Sequence, residues 1–228
     1  NYDYIYGSLI QIDKDQKSIQ VELTSVTNTE NKTIQAIEYD TLILALGSQS
    51  NDFNTPGVRE HCYFLDSLHE AKQIHDKIYM SYIDMKQNFI DINSGYNVAI
   101  IGAGATGVEL IFELATLKKI MSETIFHELK NFKINFTLID SAERILAALS
   151  AKVSNEVVDQ LQAIGINILT NCKVSSVDSE SIYFDDGREI KADLKIWTAG
   201  IKAPPILEKL TDFEKDNLHR LKVYATLQ

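Results

Sequence analysis

The hydrophobic residues of this chain fall into short solid runs and into sets spaced by three or four positions. Short apolar runs bounded by turn residues are typical of buried strands, and the wider spacing is typical of amphipathic helices. The two patterns alternate through the second half of the chain, which predicts an α/β fold built on a parallel sheet. The predicted strands are residues 98–101, 136–140, 166–169 and 194–200, and the predicted helices begin near residues 67, 104 and 153.

Other regions carry short runs separated by turn residues, which is the pattern of antiparallel strands. This pattern predicts one meander within residues 1–46 and a second, smaller one within residues 173–190. The solid apolar segment 39–48 predicts a strand that is buried on both faces. The predicted meander strands are residues 2–12, 18–23 and 33–37, then 173–177, 181–184 and 189–190, with turns at 13–17, 27–31 and 185–187.

The helical segments each have an apolar face. Ser67 followed by Glu70 matches a capping box, which places a helix start at this point. The second helix is predicted to run as far as Leu129, and Gly165 ends the third. The residues predicted to face inward are Ala71, Ile74, Ile78 and Tyr82 in the first helix, Leu110, Ile111, Leu114 and Leu117 in the second, and Val153, Val157, Leu161 and Ile164 in the third.

A glycine fingerprint joins the strand 98–101 to the second helix. Gly102 permits a tight turn, Gly104 lets a pyrophosphate approach the backbone, and Gly107 lets the helix lie close to the strand. The free N–H groups of the helix would face the phosphate charge. A glycine-rich turn without a ligand is the plainer interpretation, but the strand–turn–helix setting favours a dinucleotide-binding loop and a Rossmann-type sheet. The predicted loop is Gly102, Ala103, Gly104, Ala105, Thr106 and Gly107.

Asp140 stands at the end of the next predicted strand. A carboxylate there accepts hydrogen bonds from the adenosine ribose and repels the 2′-phosphate of NADP. It follows Gly107 by 33 positions, whereas about 20 is usual, and the long helix predicted between them accounts for the excess. Arg144 could serve a 2′-phosphate instead, and a surface cap is the structural alternative for Asp140. The balance favours NADH over NADPH.

Composition excludes several classes of protein. The chain has 228 residues, 45% of them hydrophobic, which is enough for a sizeable core in one large or two small domains. Its formal net charge of −10 disfavours nucleic acid and anionic membrane surfaces as partners. Cys62, Cys172 and the five histidines lack the spacing of metal ligands, redox pairs or catalytic triads. We therefore predict no metal site and expect both cysteines to be small buried apolar residues.

The ends of the chain predict that it is part of a longer protein. It begins at Asn1 without a methionine and at once reads as a strand. We expect no signal peptide at its start, and no apolar run reaches the ~20 residues of a membrane helix. We expect an internal piece of a cytoplasmic protein in a reducing compartment.

Several motifs, which together span nearly the whole chain, give it a family resemblance. It resembles the FAD-dependent pyridine nucleotide-disulfide oxidoreductases and, within them, the type II, non-proton-pumping NADH:quinone oxidoreductases. In such enzymes NADH reduces FAD by hydride transfer, and the flavin then reduces a membrane quinone. The motifs are Tyr-Asp-Thr-Leu-Ile-Leu-Ala-Leu-Gly-Ser at 39–48, Thr-Pro-Gly-Val at 55–58, Gly-Ala-Gly-Ala-Thr-Gly-Val-Glu-Leu at 102–110 and Trp-Thr-Ala-Gly-Ile-Lys-Ala-Pro at 197–204.

The resemblance implies that residues 51–203 form an NADH-binding domain with an inserted β-meander. Residues 1–50 and 204–228 would supply partial strands of a second, FAD-binding domain. The glycine fingerprint that holds FAD would lie upstream of this chain, and an amphipathic membrane segment would lie downstream. We therefore expect the chain to bind NADH but not FAD, and to be inactive alone. The full-length protein would be peripheral on the inner face of the cell membrane.

The resemblance also implies roles for particular residues. The glycine loop would hold the NADH pyrophosphate, and Asp140 the ribose. Glu109, on the first turn of its helix, would lie close to the nicotinamide and the flavin ring, although a charge there also suits the helix dipole alone. Ala199, Gly200 and Ile201 would approach the nicotinamide, and Ala45, Leu46, Gly47 and Ser48 would pack near FAD in the complete protein.

Other functions stay open at this point. A disulfide or ferredoxin reductase would keep the same fold, although the run Gly-Ile-Lys-Ala-Pro at 200–204 argues against it. A non-catalytic NAD(H)-binding sensor would carry the same loop without flavin chemistry. Flavin content and quinone-dependent NADH oxidation by the full-length protein separate these alternatives.

Overall fold

The computed structural model describes residues 2–24, 32–87, 89–90, 95–125 and 133–226. The strands are β1 (Gly7–Asp13), β2 (Ser18–Thr24), β3 (Lys32–Glu38), β4 (Gln49–Ser50), β5 (Tyr96–Ile101), β6 (Ile134–Ile139), β7 (Asn167–Leu169), β8 (Val174–Val177), β9 (Ser181–Phe184), β10 (Glu189–Lys191), β11 (Leu194–Trp197) and β12 (Ile201–Lys202). The helices are α1 (Val58–His61), α2 (Leu68–Lys86), α3 (Ala105–Ile120), α4 (Ala151–Ala163) and α5 (Pro205–Lys209). The chain divides into two units, residues 50–201 and residues 1–49 with 202–228.

The larger unit, residues 50–201, is built on a parallel sheet with the strand order β11-β5-β6-β7. Successive residues of β5 point to opposite faces. Val98 and Ile100 pack in the cluster that contains the buried sides of α2, α3 and α4, whereas Ala99 and Ile101 pack in the cluster that contains the β8–β10 meander. Because both faces are covered, β5 is a solid apolar run. The predicted α/β fold with a parallel sheet is confirmed.

The β8–β10 meander forms an antiparallel sheet with the order β10-β9-β8. The meander is an insertion between β7 and β11, which follow one another along the chain and form the two edges of the parallel sheet. Its buried side chains, among them Val177, Ile182 and Phe184, cover Trp197 of β11 and the adjacent end of β5. The predicted second meander is therefore present where the turn residues indicated it.

The helix α2 begins as its sequence predicts. Ser67 is the N-cap, and its hydroxyl oxygen accepts a hydrogen bond from the Glu70 amide at 3.2 Å. The Glu70 carboxylate in turn accepts hydrogen bonds from the Asp66 amide at 2.8 Å and from the Ser67 hydroxyl at 3.0 Å. Ile74 and Tyr82 are buried on the predicted face. The reciprocal contacts and the apolar face fix where α2 starts and how it packs.

The helix α4 packs partly through the predicted face. Leu161 is buried and Val157 packs against the core, as predicted, whereas Val153 and Ile164 are 39% and 52% exposed. The buried face also contains Ser154, which was not predicted. The Ser154 hydroxyl donates to the Ile145 carbonyl at 2.8 Å, which satisfies it in the core. A buried serine of this kind shifts the packed face away from the purely apolar one.

The second predicted helix is described only in part. The helix α3 ends at Ile120 and continues as a π-helical turn, Met121–Ile125. The rest of the predicted helix, 126–129, lies outside the described residues. No helix within the described ranges is both long and apolar enough to span a bilayer.

The smaller unit contains an antiparallel sheet with the order β1-β2-β3. Its buried core includes Ile12, Leu207 and Leu210. The strand predicted over residues 39–48 is absent, and Ile43 is 84% exposed. No described strand pairs with residues 42–48, and an apolar segment without a partner strand cannot satisfy its backbone as sheet. The turn predicted at 27–31 lies outside the described residues.

Candidate functional site

The residues predicted to contact the dinucleotide meet at the carboxyl edge of the parallel sheet. Gly102 follows directly after β5 and Asp140 directly after β6, and the turn that contains Ala199 follows β11. The strand order reverses beside β5, because β6 and β7 lie on one side of it and β11 on the other. Open α/β sheets bind ligands at this kind of reversal, outside the carboxyl ends of the strands.

The outer glycines of the loop are required by packing. Gly102 has a φ of +111°, and a Cβ there would lie 2.5 Å from the Ala199 amide nitrogen. A Cβ on Gly107 would lie 1.9 Å from the Gly102 carbonyl oxygen. Both distances are below 3.0 Å, which is closer than Cβ atoms come to other atoms in real structures. The backbone of the loop therefore packs directly against the start of α3 and against the turn after β11.

The middle glycine faces open space. A Cβ on Gly104 would meet nothing within 4 Å, and its φ of −72° is open to any residue. Gly104 is also the N-cap of α3, where no side chain caps the helix. The first N–H groups of a helix have no intrahelical partner and carry the positive end of the dipole. No side-chain cap occupies these donors, so they are available to an anion such as a phosphate group.

The carboxylate of Asp140 lies against the loop. One oxygen accepts a hydrogen bond from the Ala103 amide at 2.6 Å, and the other accepts one from the Ala142 amide at 2.8 Å. Each oxygen keeps further acceptor capacity, which a ribose hydroxyl could use. The Arg144 guanidinium donates to the carbonyls of residues 146 and 147 within its own loop. Asp140, and not Arg144, is therefore the charged side chain that contacts the glycine loop.

Thr198 is a site residue that sequence reasoning missed. Its hydroxyl lies 2.9 Å from the Gly102 carbonyl oxygen and 3.1 Å from that of Ile101, so it can donate to either. This contact ties the exit of β11 to the exit of β5. A polar residue directly after a buried strand, beside the strand-order reversal, is the signal that could have identified it.

Glu109 lies farther along α3 than expected. The helix begins at Ala105 and has no acidic residue in its first turn, so the expectation that Glu109 lies there was wrong. The side chain is exposed, and no hydrogen bond or ion pair joins it to another residue of the described ranges. The helix dipole fades within one turn, which weakens the purely structural explanation of this charge.

The remaining predicted residues divide between the two units. Ala199 packs on Gly102, and Gly200 has a φ of +69° in the turn after β11. Ile201 is 61% exposed. Ala45, Gly47 and Ser48 belong to the smaller unit, where they are exposed and outside any strand.

A cavity of about 420 Å³ lies beside β11 and is lined by none of the predicted cofactor residues. The Lys195 amine is buried there and donates to the carbonyls of Ser179 and Ala192. Burial lowers the pKa of Lys195. Burial also raises the pKa of the Cys62 thiol to about 12, although the nearby Lys195 charge acts to lower it. A protonated thiol is a weak nucleophile. Within the described residues, no group of three or more His, Cys, Asp or Glu side chains is placed to hold a metal ion.

Comparison with known proteins agrees with this geometry. The chain is 34% identical to the type II NADH:quinone oxidoreductase of Haemophilus influenzae, over 100% of this chain and 54% of that protein. It is 27% identical to the mitochondrial external alternative NAD(P)H-ubiquinone oxidoreductase B1 of Solanum tuberosum, over 95% of this chain and 38% of that protein. The chain thus spans about half the length, or less, of these relatives.

Solved structures share the fold. NDH2 from Plasmodium falciparum in complex with NADH superposes with a TM-score of 0.74 at 23% identity, over 90% of this chain and 42% of that one. CoADR-RHD of Bacillus anthracis superposes with a TM-score of 0.69 at 18% identity, over 97% of this chain and 35% of that one. Residues 1–228 match the sequence profile of the pyridine nucleotide-disulphide oxidoreductases from end to end. The predicted family is confirmed: the chain belongs to the pyridine nucleotide-disulphide oxidoreductase family.

Proposed function

We propose that this chain is the NADH-binding segment of a flavin-dependent, type II NADH:quinone oxidoreductase. The observation that carries the proposal is the uncapped start of α3 behind Gly104, with the Asp140 carboxylate beside it. The similarity to a type II NADH:quinone oxidoreductase over the whole chain supports it. The full-length protein would take a hydride from NADH onto FAD and pass the electrons to a quinone.

The site residues act by binding and orienting the dinucleotide. The N–H groups of Ala105 to Gly107 hold the pyrophosphate, and the positive end of α3 offsets its charge. Asp140 accepts hydrogen bonds from the adenosine ribose and repels a 2′-phosphate, which selects NADH over NADPH. The nicotinamide half then lies toward β11, at the turn that contains Ala199 and Gly200, because β5 separates β6 from β11.

The smaller unit is the part of the FAD-binding domain that this chain contains. Ala45, Gly47 and Ser48 would help to hold FAD in the full-length protein, and bound FAD would supply the hydride acceptor. This chain alone has one glycine fingerprint, so we expect it to bind NADH and to purify without flavin colour. A stoichiometric flavin absorbance band that survives gel filtration would contradict this expectation.

Glu109 is the proposed catalytic residue. Its carboxylate is exposed and has no hydrogen-bond or ion-pair partner among the described residues, so it is available to position the nicotinamide beside the flavin ring. The full-length protein is proposed to be cytoplasmic and to lie on the inner face of the cell membrane, where its quinone is dissolved.

The full-length protein tests the proposal. Purified with its flavin, it should oxidise NADH when a soluble quinone is added, and Gly104→Ala should raise the KM for NADH at least tenfold while the flavin stays bound. A protein that binds NADH but has no flavin and no quinone-dependent turnover would be a sensor instead. Transfer of electrons to a disulfide or a ferredoxin, and not to a quinone, would assign it to another branch of the family.

A further inference from the structure

A short loop, residues 51–54, is fastened to the turn that leaves β11. The Asn51 amide donates to the Gly200 carbonyl at 3.2 Å. The indole N–H of Trp197, which is buried, lies 2.9 Å from the Asn51 carbonyl oxygen and 2.9 Å from that of Ala199. The loop therefore keeps a fixed position relative to the turn at the carboxyl edge of the sheet.

The backbone of this loop is strained at an aromatic residue. Phe53 and Asn54 have φ values of +51° and +54°. Asparagine tolerates this region, but for a bulky side chain it is a genuine outlier. The strain is maintained by local contacts: the Phe53 amide donates to the Asn51 side chain at 3.0 Å, and the Asn54 amide donates to Asp52. Strained backbone that the surroundings hold in place is concentrated at functional sites.

The strain places the Phe53 ring on the backbone of Gly200. A Cβ on Gly200 would lie 2.3 Å from Cζ of the Phe53 ring, so only glycine permits this contact. Even so, 59% of Phe53 remains exposed. A ring with this exposure contributes little to a hydrophobic core, because burial is the source of that stabilisation. The fold therefore holds an aromatic surface open to solvent at the end of β11.

We propose that the Phe53 ring is the surface against which the nicotinamide ring of the bound dinucleotide packs. The inference rests on the proposed function, in which the pyrophosphate lies at Gly104 and the adenosine at Asp140. A dinucleotide held at these two points extends its other half past β5 toward β11. The turn at Gly200 and the ring of Phe53 lie at that end. Phe53 is thereby a further cofactor-binding residue, which holds the reactive ring in place.

A pair of nucleotides isolates this contact. ADP-ribose keeps the adenosine, the pyrophosphate and the second ribose of NADH, and lacks only the nicotinamide. We would measure the Kd of both by titration calorimetry for the unaltered chain, for Phe53→Asn and for Phe53→Tyr. Asparagine removes the ring and tolerates the positive φ, and tyrosine restores a ring. Leu68→Asn is the matched control, because Leu68 is an apolar residue that is 87% exposed on α2.

We expect Phe53→Asn to weaken NADH binding about 3- to 10-fold and to leave ADP-ribose binding unchanged. Phe53→Tyr should restore NADH binding, and Leu68→Asn should alter neither ligand. Equal weakening of both ligands by Phe53→Asn would mean that the ring only shapes the loop, and no effect on NADH would mean that it makes no contact. Either result overturns this inference alone. An unaltered chain that binds neither nucleotide overturns the proposed function and this inference with it.

Discussion

Substituting alanine at two glycines of the loop should affect two different properties. Gly107→Ala should lower the stability of the protein, and Gly104→Ala should weaken NADH binding. In Gly107→Ala the new Cβ would lie 1.9 Å from the Gly102 carbonyl oxygen and 2.8 Å from the Thr198 hydroxyl. Real Cβ contacts are at least 3.0 Å, so α3 and the loop must separate by about 1 Å. In Gly104→Ala the new Cβ meets nothing within 4 Å.

The magnitudes follow from these contacts. Overpacking of this kind costs about 1–3 kcal/mol, and for a chain of this size each kcal/mol lowers the Tm by about 2–4 °C. Gly107→Ala should therefore lower the Tm by several degrees. Gly104→Ala loses part of its N-cap preference and gains from a less flexible unfolded chain, so its Tm should stay close to that of the unaltered protein.

Gly104→Ala should weaken NADH binding, although it should leave the Tm nearly unchanged. The methyl group of Gly104→Ala occupies the space through which the pyrophosphate reaches the helix N–H groups, so affinity should fall by at least tenfold, or about 1.4 kcal/mol. Thermal melts by circular dichroism and calorimetric titration with NADH measure the two effects separately. An NADH affinity that Gly104→Ala leaves unchanged would refute the phosphate position, and an unchanged Tm in Gly107→Ala would refute the packing.

Other predictions concern single side chains. NADPH should bind about 10- to 150-fold more weakly than NADH, which corresponds to about 1.4–3 kcal/mol, and Asp140→Asn should narrow this ratio in calorimetric titrations; equal affinities in the unaltered chain would contradict the role of Asp140. In the full-length enzyme, Glu109→Gln should lower quinone-dependent turnover tenfold or more without lowering the Tm, whereas unchanged turnover with a lowered Tm would make Glu109 structural. Tyr96→Phe should leave stability unchanged or raise it, because the buried Tyr96 hydroxyl has no hydrogen-bond partner among the described residues; a clear loss in a urea melt would reveal a partner. Hydrogen bonds from the Ser181 amide, the Tyr183 hydroxyl and the Glu180 amide lower the pKa of Asp178 below its usual 3.8. Its contribution is therefore complete above pH 3.8 and is lost as pH falls through the lowered value, and acid melts of Asp178→Asn should depend less on pH; identical pH profiles would show that the turn does not depend on this charge.

The parts of the fold that sequence predicted are those set by local pattern. The solid apolar run 98–101 of β5 identifies a strand covered on both faces, and the Ser67 and Glu70 pair identifies the start of α2. Each signal lies within a few residues of the feature it predicts. The same reasoning failed for residues 39–48, because a strand also needs a neighbour to pair with and a local pattern does not supply one.

Part of the candidate site could also be predicted from the sequence. The glycine loop and Asp140 were identified because each stands at the end of a predicted strand. The contacts of Thr198 with Gly102 and of Phe53 with Gly200 join segments that are distant in sequence. They depend on the strand order β11-β5 and on a strained loop, neither of which a hydrophobic pattern encodes. The burial of Ser154 on α4 was missed for a related reason, since the partner of its hydroxyl is the carbonyl of Ile145 in another segment.

The most direct test of the account is a calorimetric titration of this chain with NADH, repeated in the presence of ADP-ribose. Binding at the loop of residues 102–107 predicts a saturable 1:1 isotherm that ADP-ribose shifts to higher NADH concentration, because both ligands place a pyrophosphate on the same helix N–H groups. Heats that do not saturate, or a saturable isotherm that ADP-ribose leaves unchanged, would contradict a dinucleotide site at the start of α3.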